Sequence, residues 1–178
     1  MSSFPLVTVL IPAYNHEQYV EDTINSIINQ TYENIELVII NDGSTDNTHQ
    51  IISSLLNQCD KRFVNFKYVN RENKGLLNTL KEMELNISGK YLITFASDDI
   101  SLPKRIENQV DILEKNTEYA LCYTSLEYID HNSVILDKAH KIKHCKTGNV
   151  FKNLLYQNFI PAPTVMMRSS VFKELNGY

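Results

Sequence analysis

An α/β fold with a mostly parallel central sheet flanked by helices is predicted by three observations. Apolar, β-branched runs begin at residues 7, 35, 63 and 91, a spacing of 28 residues each time. That is roughly the size of one strand–helix–strand repeat. The segments between the runs carry apolar residues at helical period. The polar residues gather just after each run, and right-handed crossovers place all of those segments on one edge of the sheet. After residue 117 the rhythm changes, so the C-terminal part is expected to be mixed.

Val7-Thr8-Val9-Leu10-Ile11 is the first strand, and Pro12-Ala13-Tyr14-Asn15 is the loop after it. Val20, Ile24, Ile27 and Ile28 mark one face of the first helix, with Asn15 and Gln18 resembling a capping box before it. The second strand, 35–40, leads into Asn41-Asp42-Gly43-Ser44-Thr45-Asp46. Ser44 or Thr45 can cap the second helix, whose stripe is Ile51, Ile52, Leu55 and Leu56. The third strand, 63–69, leads into the loop 70–75, and Leu76, Leu80, Met83 and Ile87 mark the third helix. The fourth strand, 91–95, ends in the loop 97–101; Ile106, Val110 and Leu113 mark the fourth helix, with Pro103 in its first turn. Each apolar stripe reads as core. Beyond these, 119–129 and 133–136 read as a hairpin around Asp130-His131-Asn132, and 138–146 as a basic, polar loop. A helix at 150–156, a break at Pro161-Ala162-Pro163, a strand at 164–167 and a short helix at 169–175 complete the chain.

The 178 residues suit one domain. A 43% hydrophobic and 21% charged composition is that of an ordinary soluble globular protein. A net charge of −4 implies no general attraction to nucleic acid. There is no apolar stretch of about 18 residues, so no membrane span is expected. Met1-Ser2-Ser3-Phe4-Pro5 lacks the basic start of a secretion signal. Cys59, Cys122 and Cys145 read as free thiols of a reducing compartment, which predicts a cytoplasmic protein. His16, His49, His131, His140 and His144 make no metal spacing and receive no role.

The most informative residues are Ala96-Ser97-Asp98-Asp99. Two adjacent carboxylates at the end of a buried strand are costly if they face the interior. They are therefore expected to protrude past the strand's carboxyl end, where open α/β sheets bind ligands. Oxygen ligands there suit a hard divalent cation carried in with substrate phosphates. An acidic loop with a helix-capping Asp explains the doublet equally well on its own. The Asp42 carboxylate could accept a hydrogen bond from the imide N–H of a uracil-like base. Gly43 permits a tight turn, and Asp46 suits a helix N-terminus. The backbone of 12–15 and the Tyr14 ring could hold a base or ribose, although a plain loop aromatic is the simpler reading. Arg71, Lys74 and Gly75 form a small basic loop of the kind a diphosphate near Asp99 would need. Alone, the two cations read as solvated surface charges.

Three segments in order, Val7-Thr8-Val9-Leu10-Ile11-Pro12-Ala13-Tyr14-Asn15, Asn41-Asp42-Gly43-Ser44-Thr45-Asp46 and Ala96-Ser97-Asp98-Asp99, resemble the family 2 glycosyltransferases with the GT-A fold. The resemblance runs from about residue 6 to the end. It implies a GT-A-type, Rossmann-like single domain over 1–178, with a nucleotide-binding half at 1–100 and the start of an acceptor half at 101–178. It implies a nucleotide-diphosphate sugar donor, here a UDP-sugar, an inverting mechanism, and Mg²⁺ or Mn²⁺. The acceptor would be a saccharide or a lipid-linked saccharide in cell-surface polysaccharide or glycoconjugate synthesis, with the enzyme in the cytoplasm or peripheral at the inner face of the membrane. By position, Pro12, Ala13, Tyr14 and Asn15 would line the nucleoside pocket and Asp42 would contact the base. Asp98 would lie near the ribose or donor sugar, and Asp99 would ligate the metal.

Two departures from the pattern stand out. Many relatives carry an Asp where this chain has Ala96, so one acidic contact is missing. Relatives also place a general base, usually Asp, beyond a Gly-Tyr like Gly177-Tyr178. The expectation is a part of a longer enzyme with no catalytic base within 1–178. A nucleotide-sugar-binding module without transfer is the alternative from a different class. A nucleotidyltransferase would want a glycine-rich, basic loop after the first strand, which Pro12-Ala13-Tyr14-Asn15-His16 is not.

Overall fold

The computed structural model describes residues 4–131, 133–136 and 146–178. Four strands run parallel: β1 (Val7–Ala13), β2 (Ile35–Asp42), β3 (Asn65–Arg71) and β4 (Tyr91–Thr94). Two short strands, β5 (Leu121–Cys122) and β6 (Met166–Arg168), join antiparallel, β6 against β4 and β5 against β6. The sheet order is β3-β2-β1-β4-β6-β5. The helices are α1 (Val20–Ile28), α2 (Thr48–Arg62), α3 (Leu76–Glu84), α4 (Arg105–Lys115), α5 (Phe151–Tyr156) and α6 (Ser169–Glu174), with a 3₁₀ turn at Ala162–Thr164.

All of β2 is buried. That fits an unbroken apolar strand covered on both faces of a parallel sheet. Alternate residues serve opposite layers, as the two-residue strand period requires. Val9, Ile11, Leu37 and Ile39 meet α1, α2 and α4 through Ile24, Ile52 and Ile106. Leu10, Val38, Ile40 and Leu92 meet α3 and α6 through Met83 and Phe172.

Polar anchors tie the layers together. The buried Gln30 amide donates to the Leu102 carbonyl at 2.9 Å and accepts the Ile106 N–H at 3.1 Å, joining the end of α1 to the start of α4. Arg62 donates to the carbonyls of Ile28 and Gln30, both at 2.8 Å, closing the end of α1. Arg168 does the same for α4, donating to Leu113 O at 2.6 Å and Asn116 O at 3.1 Å. At the sheet edge where β1 and β2 begin, buried Glu36 accepts the Thr8 and Ser88 hydroxyls and the Ser88 and Gly89 N–H groups, the last two at 2.8 and 3.2 Å.

Several local expectations are corrected. The third strand starts at Asn65, because α2 runs on to Arg62 and the Phe63 N–H closes it on Cys59 O at 3.0 Å. No Asn15–Gln18 capping box forms: α1 begins after Tyr19 without a side-chain cap, and Asn15 sits at φ 52°. Neither Ser44 nor Thr45 caps α2; Asp46 Oδ1 takes the Thr48 N–H at 3.0 Å instead. Pro103 lies just ahead of α4, and its carbonyl accepts the Thr31 N–H at 2.9 Å. Among the described residues the hairpin shrinks to one bridge, Ile129 to Ile135, while Leu121 and Cys122 pair with β6. Its turn residue Asn132 and, in the segment after it, His140, His144 and Cys145 lie outside the described residues, as does most of the basic 138–146 loop.

Candidate functional site

The carboxyl ends of β1 to β4 share one edge because the four strands are parallel. The loops there are bonded to one another. The Asn15 N–H donates to Ser44 Oγ at 2.9 Å, and Asn15 Oδ1 accepts the Thr45 N–H at 2.8 Å. The Glu17 N–H donates to Asp46 Oδ2 at 3.0 Å, and Glu17 Oε2 accepts the Asn47 N–H at 2.9 Å. The side chains of Asn15 and Asp46 thus hold two loops together. Gly43, at φ +69°, also brings the loop after β2 against the loop after β3: a Cβ there would lie 2.4 Å from the Asn73 backbone nitrogen.

Asp42 is buried at the end of β2, directly opposite Arg71 in the parallel register. Its Oδ1 accepts from Arg71 Nη1 and from the Lys74 N–H, the latter at 2.9 Å. Arg71 also donates to Glu82 Oε2 at 3.1 Å and to Thr79 Oγ1 at 2.8 Å. Burial alone would push the Asp42 carboxyl up. The Lys74 N–H, the Thr79 hydroxyl and Arg71 outweigh burial and hold it below its ordinary value. The group is an ionised acceptor.

Asp98 is exposed and Asp99 is half-buried, at the end of β4. Burial raises the Asp99 carboxyl first, and the neighbouring Asp98 charge adds to it; Arg105 and His16 oppose the rise. The Arg105 guanidinium stacks over Phe95 at 5.1 Å and donates to Pro163 O at 2.7 Å.

Beside Asp99 opens a cavity of about 660 Å³. Its lining includes the polar residues Tyr14, His16, Thr94, Ser97 and Asp99 and the apolar residues Leu76, Leu80, Leu92, Met167 and Phe172. Of the residues singled out in the sequence, Pro12, Tyr14 and Asp99 line this cavity. Ala13, Asn15, Asp42, Arg71, Lys74, Gly75 and Asp98 do not. Arg71, read as a surface charge, has a side chain only 11% exposed. His16 was given no role, yet it stands on the cavity wall.

Among the described residues no group of three or more His, Cys, Asp or Glu is arranged to hold a metal ion. The donor set at the β4 end still fits a hard cation in part. Two adjacent carboxylates, one partly desolvated, repel each other, and a divalent cation would relieve that repulsion. Its remaining ligands would have to be phosphate oxygens and water, the usual pattern for Mg²⁺ with a phosphorylated substrate.

The family model for Glycosyl transferase family 2 matches residues 8–175. An uncharacterised glycosyltransferase of Haemophilus influenzae is 38% identical over 186 residues, which cover 98% of this chain and 55% of that protein. An uncharacterised glycosyltransferase of Methanocaldococcus jannaschii is 32% identical, covering 96% of this chain and 58% of its own length. The chain therefore spans little more than half of these relatives. Among solved structures, the Staphylococcus aureus TarS fragment 1–349 in complex with UDP-GlcNAc superposes with a TM-score of 0.70 at 19% identity, covering 96% of this chain and 47% of that one. The mannosyltransferase PcManGT from Pyrobaculum calidifontis, in complex with GDP-Man and Mn²⁺, gives 0.71 at 16% identity, with 99% and 48% covered. At these identities the two structures share the GT-A fold.

Proposed function

The chain belongs to glycosyl transferase family 2, and from that premise we propose that it holds a UDP-sugar and takes part in moving the sugar to an acceptor hydroxyl with inversion. The observation that carries this reading is the convergence of Asp42, Asp98 and Asp99 on one sheet edge, beside a cavity large enough for a sugar. Asp42, kept ionised, accepts the imide N–H of uracil. Arg71 acts by holding Asp42. Lys74 has no ion pair among the described residues and is exposed, so its ammonium is left to meet the diphosphate. The loop 12–15 lies against the nucleoside, with Tyr14 facing the cavity. The acceptor, a saccharide or lipid-linked saccharide, attacks the anomeric carbon from the face opposite the diphosphate. No residue of this chain is assigned as the base. Residues 1–100 form the nucleotide half and 101–178 begin the acceptor half.

Asp99, with Asp98 beside it, is the place for Mg²⁺ or Mn²⁺. When bound, such an ion neutralises charge on the departing diphosphate and orients it. The free thiols Cys59 and Cys122 are buried, and burial pushes them up to about 12 and 11. They fit a reducing compartment, which supports a cytoplasmic enzyme of polysaccharide or glycoconjugate synthesis. No helix among the described residues is long and apolar enough to cross a membrane.

Calorimetry with UDP, with and without Mn²⁺, tests the reading. Binding is expected, and tighter with the metal. Asp99→Asn should weaken the metal-dependent part by about ten- to a hundredfold, the scale on which perturbed metal sites lose affinity. Asp98→Asn should weaken it less. Equal affinity in chelator removes the metal from the scheme, and no heat with any nucleoside diphosphate removes the scheme. Turnover of a UDP-sugar against a panel of acceptors separates a transferase from a module that only binds.

A further inference from the structure

His16 stands where the loop after β1 turns toward α1. Its backbone N–H donates to Thr48 Oγ1 at 2.9 Å, which fixes the residue against the start of α2. Its ring meets Tyr19 edge-on, with centroids 6.1 Å apart at 82°. Nδ1 lies 2.7 Å from Ser97 Oγ, and Nε2 lies 3.9 Å from Asp98 Oδ2. One imidazole therefore joins the loop after β1 to the loop after β4.

The two contacts define a direction. Ser97 is buried, and His16 is the partner of its hydroxyl among the described residues. A neutral imidazole has one donor and one acceptor nitrogen. A Ser97 hydroxyl donating to Nδ1 leaves the proton on Nε2, the nitrogen that faces Asp98. Asp98 has no other polar partner among the described residues, and its side chain is 46% exposed. Without His16 it is a freely rotating surface carboxylate. An exposed pair of this kind contributes little to folding. Its value lies in restricting where the carboxylate points when a ligand arrives.

Resting on the reading above, we infer that His16 is a positioning residue. Held at Nδ1 by Ser97, it keeps Nε2 3.9 Å from Asp98 Oδ2 and so limits where that carboxylate can turn as it meets the ribose hydroxyls of the donor.

Two conservative variants separate this role from a merely structural one. Gln places an amide nitrogen near the position of Nε2, so His16→Gln keeps the reach to Asp98. Asn places its amide near Nδ1, so His16→Asn keeps only the Ser97 contact. With UDP as the probe, His16→Ala and His16→Asn should lose roughly two- to fivefold in affinity, the scale of one partly exposed charge contact. His16→Gln should stay closer to the unaltered chain than either. Asp98→Asn should lose a similar amount, and the double variant His16→Ala/Asp98→Asn little more, because coupled residues are not additive. Imidazole ¹⁵N shifts in the ligand-free protein should show the Nε2–H tautomer. Equal behaviour of Gln and Asn, additive losses in the double variant, or an Nδ1–H tautomer would overturn the inference. If His16→Ala does not fold, the Gln and Asn pair decides alone. Failure of the unaltered chain to bind UDP overturns both the underlying reading and this one. Binding by the unaltered chain that His16→Ala leaves unchanged overturns only this one.

Discussion

Asp42→Ala is expected to lower stability by about 3 kcal/mol and to weaken uridine and UDP alike by roughly ten- to a hundredfold, with or without metal. The stability loss comes from what the truncation leaves behind. Arg71 is only 11% exposed and would face Glu82, Thr79 and the Glu72 carbonyl without its closest carboxylate. Removing one member of a buried ion pair costs about 3–5 kcal/mol, and the remaining partners place this case at the low end. The binding loss is expected from the proposed role of the carboxylate as acceptor for the base, and an effect confined to diphosphate ligands would refute that contact. The same group gives a pH signature. Its carboxyl is held below its ordinary value of 3.8 in the folded chain. The stabilisation is therefore complete above the ordinary Asp range and is lost as pH falls through the depressed folded value. Denaturant titrations between neutral pH and the acid limb should show a smaller acid-induced loss in Asp42→Ala than in the unaltered chain.

Glu36→Ala should be the most damaging change away from the ligand edge. Its carboxylate is 4% exposed and accepts from Thr8, from both donors of Ser88 and from Gly89. Each buried donor left without a partner costs about 1–3 kcal/mol. Gly89 and Thr8 can still pair with each other at 2.9 Å, so the total should be about 4 kcal/mol, a fall of roughly 10 °C in Tm for a chain of this size. Glu36→Gln, which keeps the shape and one acceptor, should lose much less. Nucleotide affinity of the folded fraction should not change, since Glu36 lies six residues back along β2 from Asp42, about 20 Å at strand rise. A loss below about 1 kcal/mol for Glu36→Ala would show that water replaces the carboxylate.

The parallel core was legible because β1, β2 and β4 are buried on both faces and so read as unbroken apolar runs. The edge that gathers the polar loops followed from the parallel direction of the strands. What stayed hidden depends on partners far away in sequence. Arg71 looks like a surface charge until the register of β2 and β3 sets it opposite Asp42. That pairing could have been found by aligning the two strands and asking which charges fall side by side. Asn15 resembles a capping residue because its local neighbours suit one, but its side-chain amide oxygen accepts the Thr45 N–H across the loop interface. His16 carries no local signal at all, since its partner Ser97 lies 81 positions away. Of the long strand expected at 119–129, only Leu121 and Cys122 pair into the sheet among the described residues, and no periodicity reports which residues find a neighbour.

The antiparallel strand also sets the moment at which the cavity comes into being. β1 to β4 and their helices are consecutive, so a chain emerging from the ribosome can pair them as each appears, N-terminal part first. β6 reaches β4 only later, with Arg168 settling opposite Tyr91, 77 positions upstream. Val165, Met167, Phe172 and Tyr178 wall the cavity and belong to this late arrival. Closing so long a loop is entropically costly and brings its return only on completion. The Asp42 edge is thus complete in chain order before the segment that walls the cavity beside Asp99.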